Sequence, residues 1–230
     1  MVDVAGNYRK VLDRINEAAA RGGRDPQTIK LLGASKSQPV DRIRAAIEAG
    51  VRLFGENYVQ EAQAKKAAIR ESVEWHMIGR LQRNKVKIAV DLFDLIESVD
   101  SLGLARELDQ EGKKRGRVVR AFVEVNLAGE ESKSGIAREQ VAALLEEAGK
   151  LSHLRIEGLM AVPPMRENPE DARSYFRALR ELSAELEAKK IPNVDLKELS
   201  MGMTHDFPVA IEEGATLVRI GTAIFGPRSG

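Results

Sequence analysis

The chain has 230 residues, 43% hydrophobic and 31% charged. That is an ordinary globular balance, and a chain of this length can bury roughly 70–75% of its unfolded surface. Lys plus Arg is 36 against 35 for Asp plus Glu, so the net charge of +1 offers no basic field for nucleic acid and no acidic arm. The absence of cysteine excludes a disulfide framework, a thiolate metal site and a cysteine nucleophile. Asp3, Arg9, Lys10, Asp13 and Arg14 leave no signal-peptide core near the start, and no apolar run reaches membrane-spanning length. A cytoplasmic location is the expectation.

Tyr8, Val11, Leu12, Ile15 and Ala19 recur at helical spacing, which predicts an amphipathic helix over about 4 to 20. Arg21 to Pro26 ends it in a turn. Ile29 to Ala34, apolar apart from Lys30, reads as a buried strand that stops on Lys36, because Pro39 cannot continue it. Asp41 is expected to cap a helix carrying Ile43, Ala46 and Ile47, closed by Gly50.

The pattern of strand, polar or glycine junction and helix then repeats. Val51 to Phe54 leads through Gly55-Glu56-Asn57 to a helix with Val59, Ala62 and Ile69. Trp75 to Ile78 leads through Gly79 to a helix around Val86 and Ala89. Leu92 to Ile96 leads to Ser98 and a helix with Leu102, Ala105 and Leu108. Arg120 to Val125 leads to Asn126, a long loop to Gly135, and a helix marked by Val141, Leu144, Leu145 and Ala148. Leu154 to Val162 stops at Pro163-Pro164, before a helix with Ala172, Phe176, Leu179, Leu182 and Leu186. Val194 to Leu199 stops at Ser200, a short helix through Ile211 closes at Gly214, and Leu217 to Gly221 comes last.

Eight strands alternating with helices argue parallel connections, and eight units in this length favour a closed α/β barrel of the (β/α)8 TIM type. The N-terminal helix is the extra element, expected to cover the gap left by the short stretch after strand eight. The doubly wound open sheet is the alternative, but no G-x-G-x-x-G or P-loop pattern follows any strand. No linker divides the chain, so residues 1–230 are expected to form a single domain.

In such a barrel the strand-end residues share one mouth, here Lys36, Asn57, His76, Asn126, Met160, Ser200, and Arg219 with Gly221 and Thr222. A lysine against apolar walls loses its proton more readily and can attack a carbonyl as a free amine. The plainer alternatives are a solvated loop lysine, Asn57 as a helix cap, His76 as a satisfied core histidine, Asn126 as a strand stop and Met160 as core packing. Arg219, between Val218 and Ile220, needs an acceptor if it points into the barrel. Gly221 permits close backbone approach, Thr222 offers an N–H and a hydroxyl, and the ends of strands seven and eight are the habitual phosphate site of these barrels. A phosphorylated aldehyde would satisfy both this end of the mouth and Lys36.

Several ordered stretches carry a resemblance. They are Gly33-Ala34-Ser35-Lys36, Phe54-Gly55-Glu56-Asn57-Tyr58-Val59-Gln60-Glu61, Trp75-His76-Met77-Ile78-Gly79 with Leu81-Gln82 and Asn84-Lys85, Ser132-Lys133-Ser134-Gly135, Gly158-Leu159-Met160-Ala161, Leu199-Ser200-Met201-Gly202-Met203, and Val218-Arg219-Ile220-Gly221-Thr222-Ala223-Ile224-Phe225-Gly226. In these the chain is similar to the pyridoxal-phosphate homeostasis proteins, whose fold is that of the N-terminal barrel of alanine racemase. Thr204 stands where that family commonly has a serine, which keeps the hydroxyl.

The resemblance implies that Lys36 forms a Schiff base with pyridoxal 5′-phosphate and that Arg219 contacts the pyridine nitrogen. It implies that Ser200, Gly221 and Thr222 hold the phosphate, while Asn57, His76 and Met160 line the ring pocket. An arginine at that nitrogen disfavours its protonation and makes the ring a poorer electron sink. Racemisation also needs a second base, which in alanine racemase is a tyrosine of the partner subunit. Tyr8 and Tyr175 fall on predicted helices and Tyr58 follows the strand-two junction, so none is an evident candidate. The racemase's second domain is also expected to be absent.

The resulting expectation is a monomeric, non-catalytic binder of the cofactor in vitamin B6 homeostasis, with no catalytic residue assigned. It would pass the cofactor to apo-enzymes and have no nucleic-acid or membrane partner. The alternatives are an amino-acid racemase of low activity and a class I aldolase-like barrel whose lysine attacks substrate directly. His76, His153 and His205 are too widely spaced to suggest a metal site. Lys133, Arg138 and the basic cluster of Arg80, Arg83, Lys85 and Lys87 read as solvated surface.

Overall fold

The computed structural model describes residues 2–130 and 134–227. Ser132 and Lys133 of the matching stretch therefore lie outside the described residues. Helix α1 (Val4–Arg21) is followed by β1 (Lys30–Ala34), α2 (Val40–Ala49), β2 (Leu53–Glu56), α3 (Val59–Ala68), β3 (Glu74–Met77) and α4 (Val86–Leu92). Then come β4 (Leu95–Val99), α5 (Leu102–Arg115), β5 (Val119–Asn126), the two-residue β6 (Ile136–Ala137) and α6 (Val141–Ala148). The chain continues through β7 (Leu154–Met160), α7 (Arg173–Glu187), β8 (Val194–Met203), α8 (Phe207–Glu212), β9 (Leu217–Ile220) and α9 (Thr222–Phe225).

All strand pairings are parallel, in the order β4-β3-β2-β1-β9-β8-β7-β5, and a further β4–β5 pairing closes the barrel. The expected (β/α)8 barrel is present. Strand β6 was not foreseen; it pairs with the end of β5 outside the closed ring. Inside the barrel, Leu32, Leu53, Leu95, Phe122, Met160 and Leu217 from six strands form a small apolar plug. Alternate residues such as Phe54, Trp75, Ile96 and Val123 belong to the larger core that includes the helices' apolar faces.

Several boundaries differ from the sequence expectation, for local reasons. Val51 does not start β2, because its N–H closes the α2 C-terminus on Ala46 O, with Gly50 left-handed at φ 116°. Leu92 ends α4 and the Phe93 N–H still bonds Ala89 O, so β4 begins only at Leu95. Asp41 is not the α2 cap: Pro39 occupies that position, and Asp41 sits in the first turn, where a carboxylate favours the helix dipole. Asn57 does not cap α3 either, since Tyr58 holds the cap position. Strand β8 runs on through Ser200 to Met203, where the Met203 N–H bonds Asp206 Oδ1 at 2.7 Å.

Helix α1 does cover the closing edge. Its Asp3 cap accepts from the Gly6 N–H, and Val4, Val11, Ile15, Ala18 and Ala19 are buried. It packs against α2, α8 and α9. The Asn7 side-chain amide donates to Ile224 O at 3.1 Å, and just beyond the helix Arg24 donates to Ile211 O and Ala215 O at 2.9 and 2.6 Å. A helix that only decorated the barrel would tolerate truncation. Here Ile15→Ala is expected to cost about 2–5 kcal/mol, read as a lower urea midpoint at unchanged slope.

Candidate functional site

The carboxyl ends of the strands open into a cavity of about 850 Å³, large enough for a drug-sized ligand. Period-two alternation along β1 places Leu32 in the plug, Ala34 on the cavity wall and Lys36 above it, on the same wall. Lys36 sits in a turn closed by the Gln38 N–H bonding Ser35 O at 3.0 Å. Asn57 after β2, Ile78 and Gly79 after β3, Glu124 on β5 and Thr204 after β8 add to the wall, as do Arg219 on β9 and Thr222 at the start of α9. Gly79 is required there: a Cβ on it would lie 2.5 Å from Asn57 O and 2.6 Å from Asn57 Cα.

Lys36, Asn57, Arg219 and Thr222 thus share one cavity, as the sequence suggested. Gly221 precedes Thr222, half-buried at the α9 cap, and is not itself part of the cavity lining. His76, Met160 and Ser200 are placed lower. Met160 is wholly buried in the plug. Ser200 pairs with Met160 in mid-strand, because β8 continues beyond it. His76 is buried two residues below Ile78, with its ring edge-on to Phe122. Asn126, at the end of β5, donates to Glu130 O and accepts from the Gly129 N–H, so it organises its own loop.

His76 and Ser200 belong to a continuous polar chain that runs under the cavity and reaches its wall at Arg219. His76 Nε2 lies 3.2 Å from Glu74 Oε1, and His76 Nδ1 lies 2.6 Å from Glu97 Oε1. The Ser200 hydroxyl donates to Glu97 Oε2 at 2.5 Å and accepts from Arg219 Nη1 at 2.5 Å. Arg219, only 4% exposed, also donates to Ser200 O and Ala161 O, both at 2.8 Å. The guanidinium is therefore held by three acceptors in a fixed plane, with Glu97 at 3.8 Å as counter-charge. Burial lowers the Arg219 pKa, and the Glu97, Glu124 and Asp206 carboxylates oppose that. Burial alone would also lower the His76 pKa, but hydrogen bonds and charge from Glu74 and Glu97 outweigh it and raise the value.

Glu124, Glu97 and Glu74 are not among the candidates the sequence offers. The available signal was a glutamate two residues from an inward side chain on each of three strands: Glu74 before His76, Glu97 after Leu95, Glu124 after Phe122. Glu124 is 7% exposed, and burial pushes its carboxyl up to about 7 despite the opposing charge of Arg219. Among the described residues, no group of three or more His, Asp or Glu side chains comes together as a metal site.

A parallel eight-stranded barrel with a lysine after its first strand and a buried arginine on its last, both on one mouth cavity, defines a distinct class. The model of the alanine racemase N-terminal domain family matches residues 33–229. The Aquifex aeolicus pyridoxal phosphate homeostasis protein is 49% identical over 220 residues, covering 95% of this chain and 96% of the relative. The protein of that name from Pseudomonas aeruginosa is 43% identical over 229 residues, covering 99% and 97%. PipY of Synechococcus elongatus, solved with PLP bound, superimposes with a TM-score of 0.82 at 38% identity, covering 93% of this chain and 100% of PipY. The chain belongs to the pyridoxal phosphate homeostasis protein family.

Glu124 makes the site's pH response testable. Folded, it keeps its proton up to about pH 7, whereas an ordinary glutamate releases it near 4.5. The native state therefore binds more protons across that window, and this group's contribution makes stability fall as pH rises through it. Glu124→Gln is expected to gain on the wild type by up to about 3 kcal/mol between pH 4.5 and 8, measured as the difference of urea midpoints across pH.

Proposed function

We propose that this chain binds pyridoxal 5′-phosphate as a Schiff base on Lys36 and serves intracellular vitamin B6 homeostasis as a reversible carrier without substantial catalysis. The observation that carries this reading is the presence of Lys36 and Arg219 on one cavity wall, alongside relatives named for this role and PipY's bound PLP. The residues present suit the group. A primary amine faces the same cavity as a fixed guanidinium, and a threonine at a helix start adds donors of the kind a phosphate takes. When bound, the cofactor supplies a reactive aldehyde, and amine plus aldehyde gives imine plus water.

The chain's own residues divide into two tiers. Lys36 provides the amine, Arg219 the contact to the pyridine nitrogen, Asn57 a wall of the ring pocket, and Thr222 with the Gly221 backbone the phosphate contacts. Ser200, His76 and Met160 act from below. Ser200 holds Arg219 directly and His76 acts on it through Glu97, while Met160 fills the floor. A guanidinium held by three acceptors cannot give up a proton to the ring, which suits storage better than carbanion chemistry. Among the described residues no tyrosine lines the cavity. The chain is proposed to act as a single-domain monomer in the cytoplasm, releasing the cofactor to apo-enzymes by hydrolysis or exchange with another amine.

A racemase of low activity has one observation in its favour, the near-neutral Glu124 on the same wall. Purified protein with the cofactor is expected to show Schiff-base absorbance, and hydride reduction to fix one cofactor on Lys36 by mass spectrometry. Lys36→Ala should abolish both, and an intact band in that variant would refute the assignment. Exchange of the alanine α-proton with deuterated solvent above the rate of free cofactor would favour the racemase.

A further inference from the structure

The stretch from Glu56 to Glu61 matches the family, yet the functional reading uses only Asn57 from it. Its charged residues meet the Lys36 turn from behind. Lys65 on α3 is buried, and its ammonium donates to Glu56 Oε1 at 2.7 Å, to Glu61 Oε1 at 2.6 Å and to Ser35 O at 2.6 Å. Glu61 Oε1 also accepts the Ser37 N–H at 2.5 Å. Glu56 Oε1 accepts from the Ser35 hydroxyl at 2.5 Å, and the Ser35 N–H bonds Gly55 O at 3.0 Å. The residue before Lys36 and the residue after it are therefore both tied to one ion cluster.

The backbone shows why such ties are needed. Ser37 has φ 59°, a left-handed conformation that a residue with a Cβ adopts at a cost. A turn whose third position is left-handed is ordinarily given to Gly or Asn. Here Ser37 is held by a charge-assisted bond to Glu61, and the Ser35 carbonyl by the Lys65 ammonium in a low-dielectric setting. The cost of burying Lys65 is met by two carboxylates and a carbonyl.

We propose that Lys65, Glu56 and Glu61 are positioning residues for Lys36, clamping the peptide units on either side of it so that its amine is presented to the cavity in one orientation. This rests on the reading of Lys36 as the cofactor-binding lysine and deepens it. The cluster touches neither the cavity nor any bound group. Its effect passes through the backbone of Ser35 and Ser37. Pre-arranging the amine raises the rate at which it meets an aldehyde and leaves the rest of the pocket unchanged.

The test uses Glu61→Ala, with Glu61→Gln as the variant that retains an acceptor and Lys65→Met as an independent break. The Glu61 side chain is 25% exposed, so its replacement does not open the core. In cofactor-free protein, amide exchange at Ser37 followed by NMR is expected to quicken about tenfold in Glu61→Ala, the scale of one charge-assisted hydrogen bond. Schiff-base formation with pyridoxal 5′-phosphate should slow by about the same factor. Affinity for pyridoxamine 5′-phosphate, which has no aldehyde, should stay within about twofold, because the pocket is intact. Glu61→Gln should recover both rates, and Lys65→Met should resemble Glu61→Ala.

Unchanged Ser37 exchange would overturn the proposal. So would faster exchange with an unchanged rate of Schiff-base formation, or a parallel loss of pyridoxamine 5′-phosphate affinity, which marks general damage. Failure of the wild type to trap cofactor on Lys36 would instead overturn the functional reading, and Ser37 exchange alone would then decide whether the clamp exists.

Discussion

The pairing of β1 with β9 is the constraint on which the rest of this structure depends. Lys30, Leu31, Leu32 and Gly33 register with Leu217, Val218, Arg219 and Ile220. These segments come from opposite ends of the chain, and only closure of the ring makes them neighbours. The register then sets the site. Leu32 and Arg219 are paired, so the arginine sits just below the level at which β1 gives way to the Lys36 turn. Helix α1 reinforces the seam from outside, and ties through its Asn7 and through Arg24 just beyond it reach the chain around α8 and α9.

Below the mouth, the barrel spends part of its interior on charge. Apolar side chains fill one plug, but beside them Glu97, His76, Ser200 and Arg219 are buried as one hydrogen-bonded chain. Buried ionic groups of this kind add little net stability over an apolar core of the same volume. Their effect is to leave a guanidinium with no rotational freedom at the cavity surface. The same economy operates behind Lys36, where a second buried cluster holds a turn that its own sequence disfavours. Arg219 and the Lys36 turn thus both rest on buried polar clusters that include glutamates outside the cavity lining.

The strand ends explain which of the expected residues reach the cavity. Lys36, Asn57 and Thr222 follow strands whose ends are marked by a proline turn, a helix start and a glycine, and such signals are local. Ser200 reads as a strand end because the apolar run halts there, but β8 continues in the pairing supplied by β7 and β9. His76 belongs to the interior of β3, whose exit is the following Ile78-Gly79. An error of two residues along a strand moves a side chain by one layer inside a barrel while keeping it on the same wall. That is why these residues read as part of the mouth and lie under its floor.

Local patterning determined the eight repeats, the extra first helix, the strand-one lysine and the inward arginine, because alternation, glycine closures and proline stops act within a few residues. Ordered motifs along the whole chain carried the family. Tertiary structure alone decided that Glu97 and Glu124 face inward, that Asp41 and Asn57 are not caps, and that Lys65 reaches the backbone beside Lys36. Those outcomes depend on which strands become neighbours and on burial that only the closed ring creates, and no window of sequence contains either.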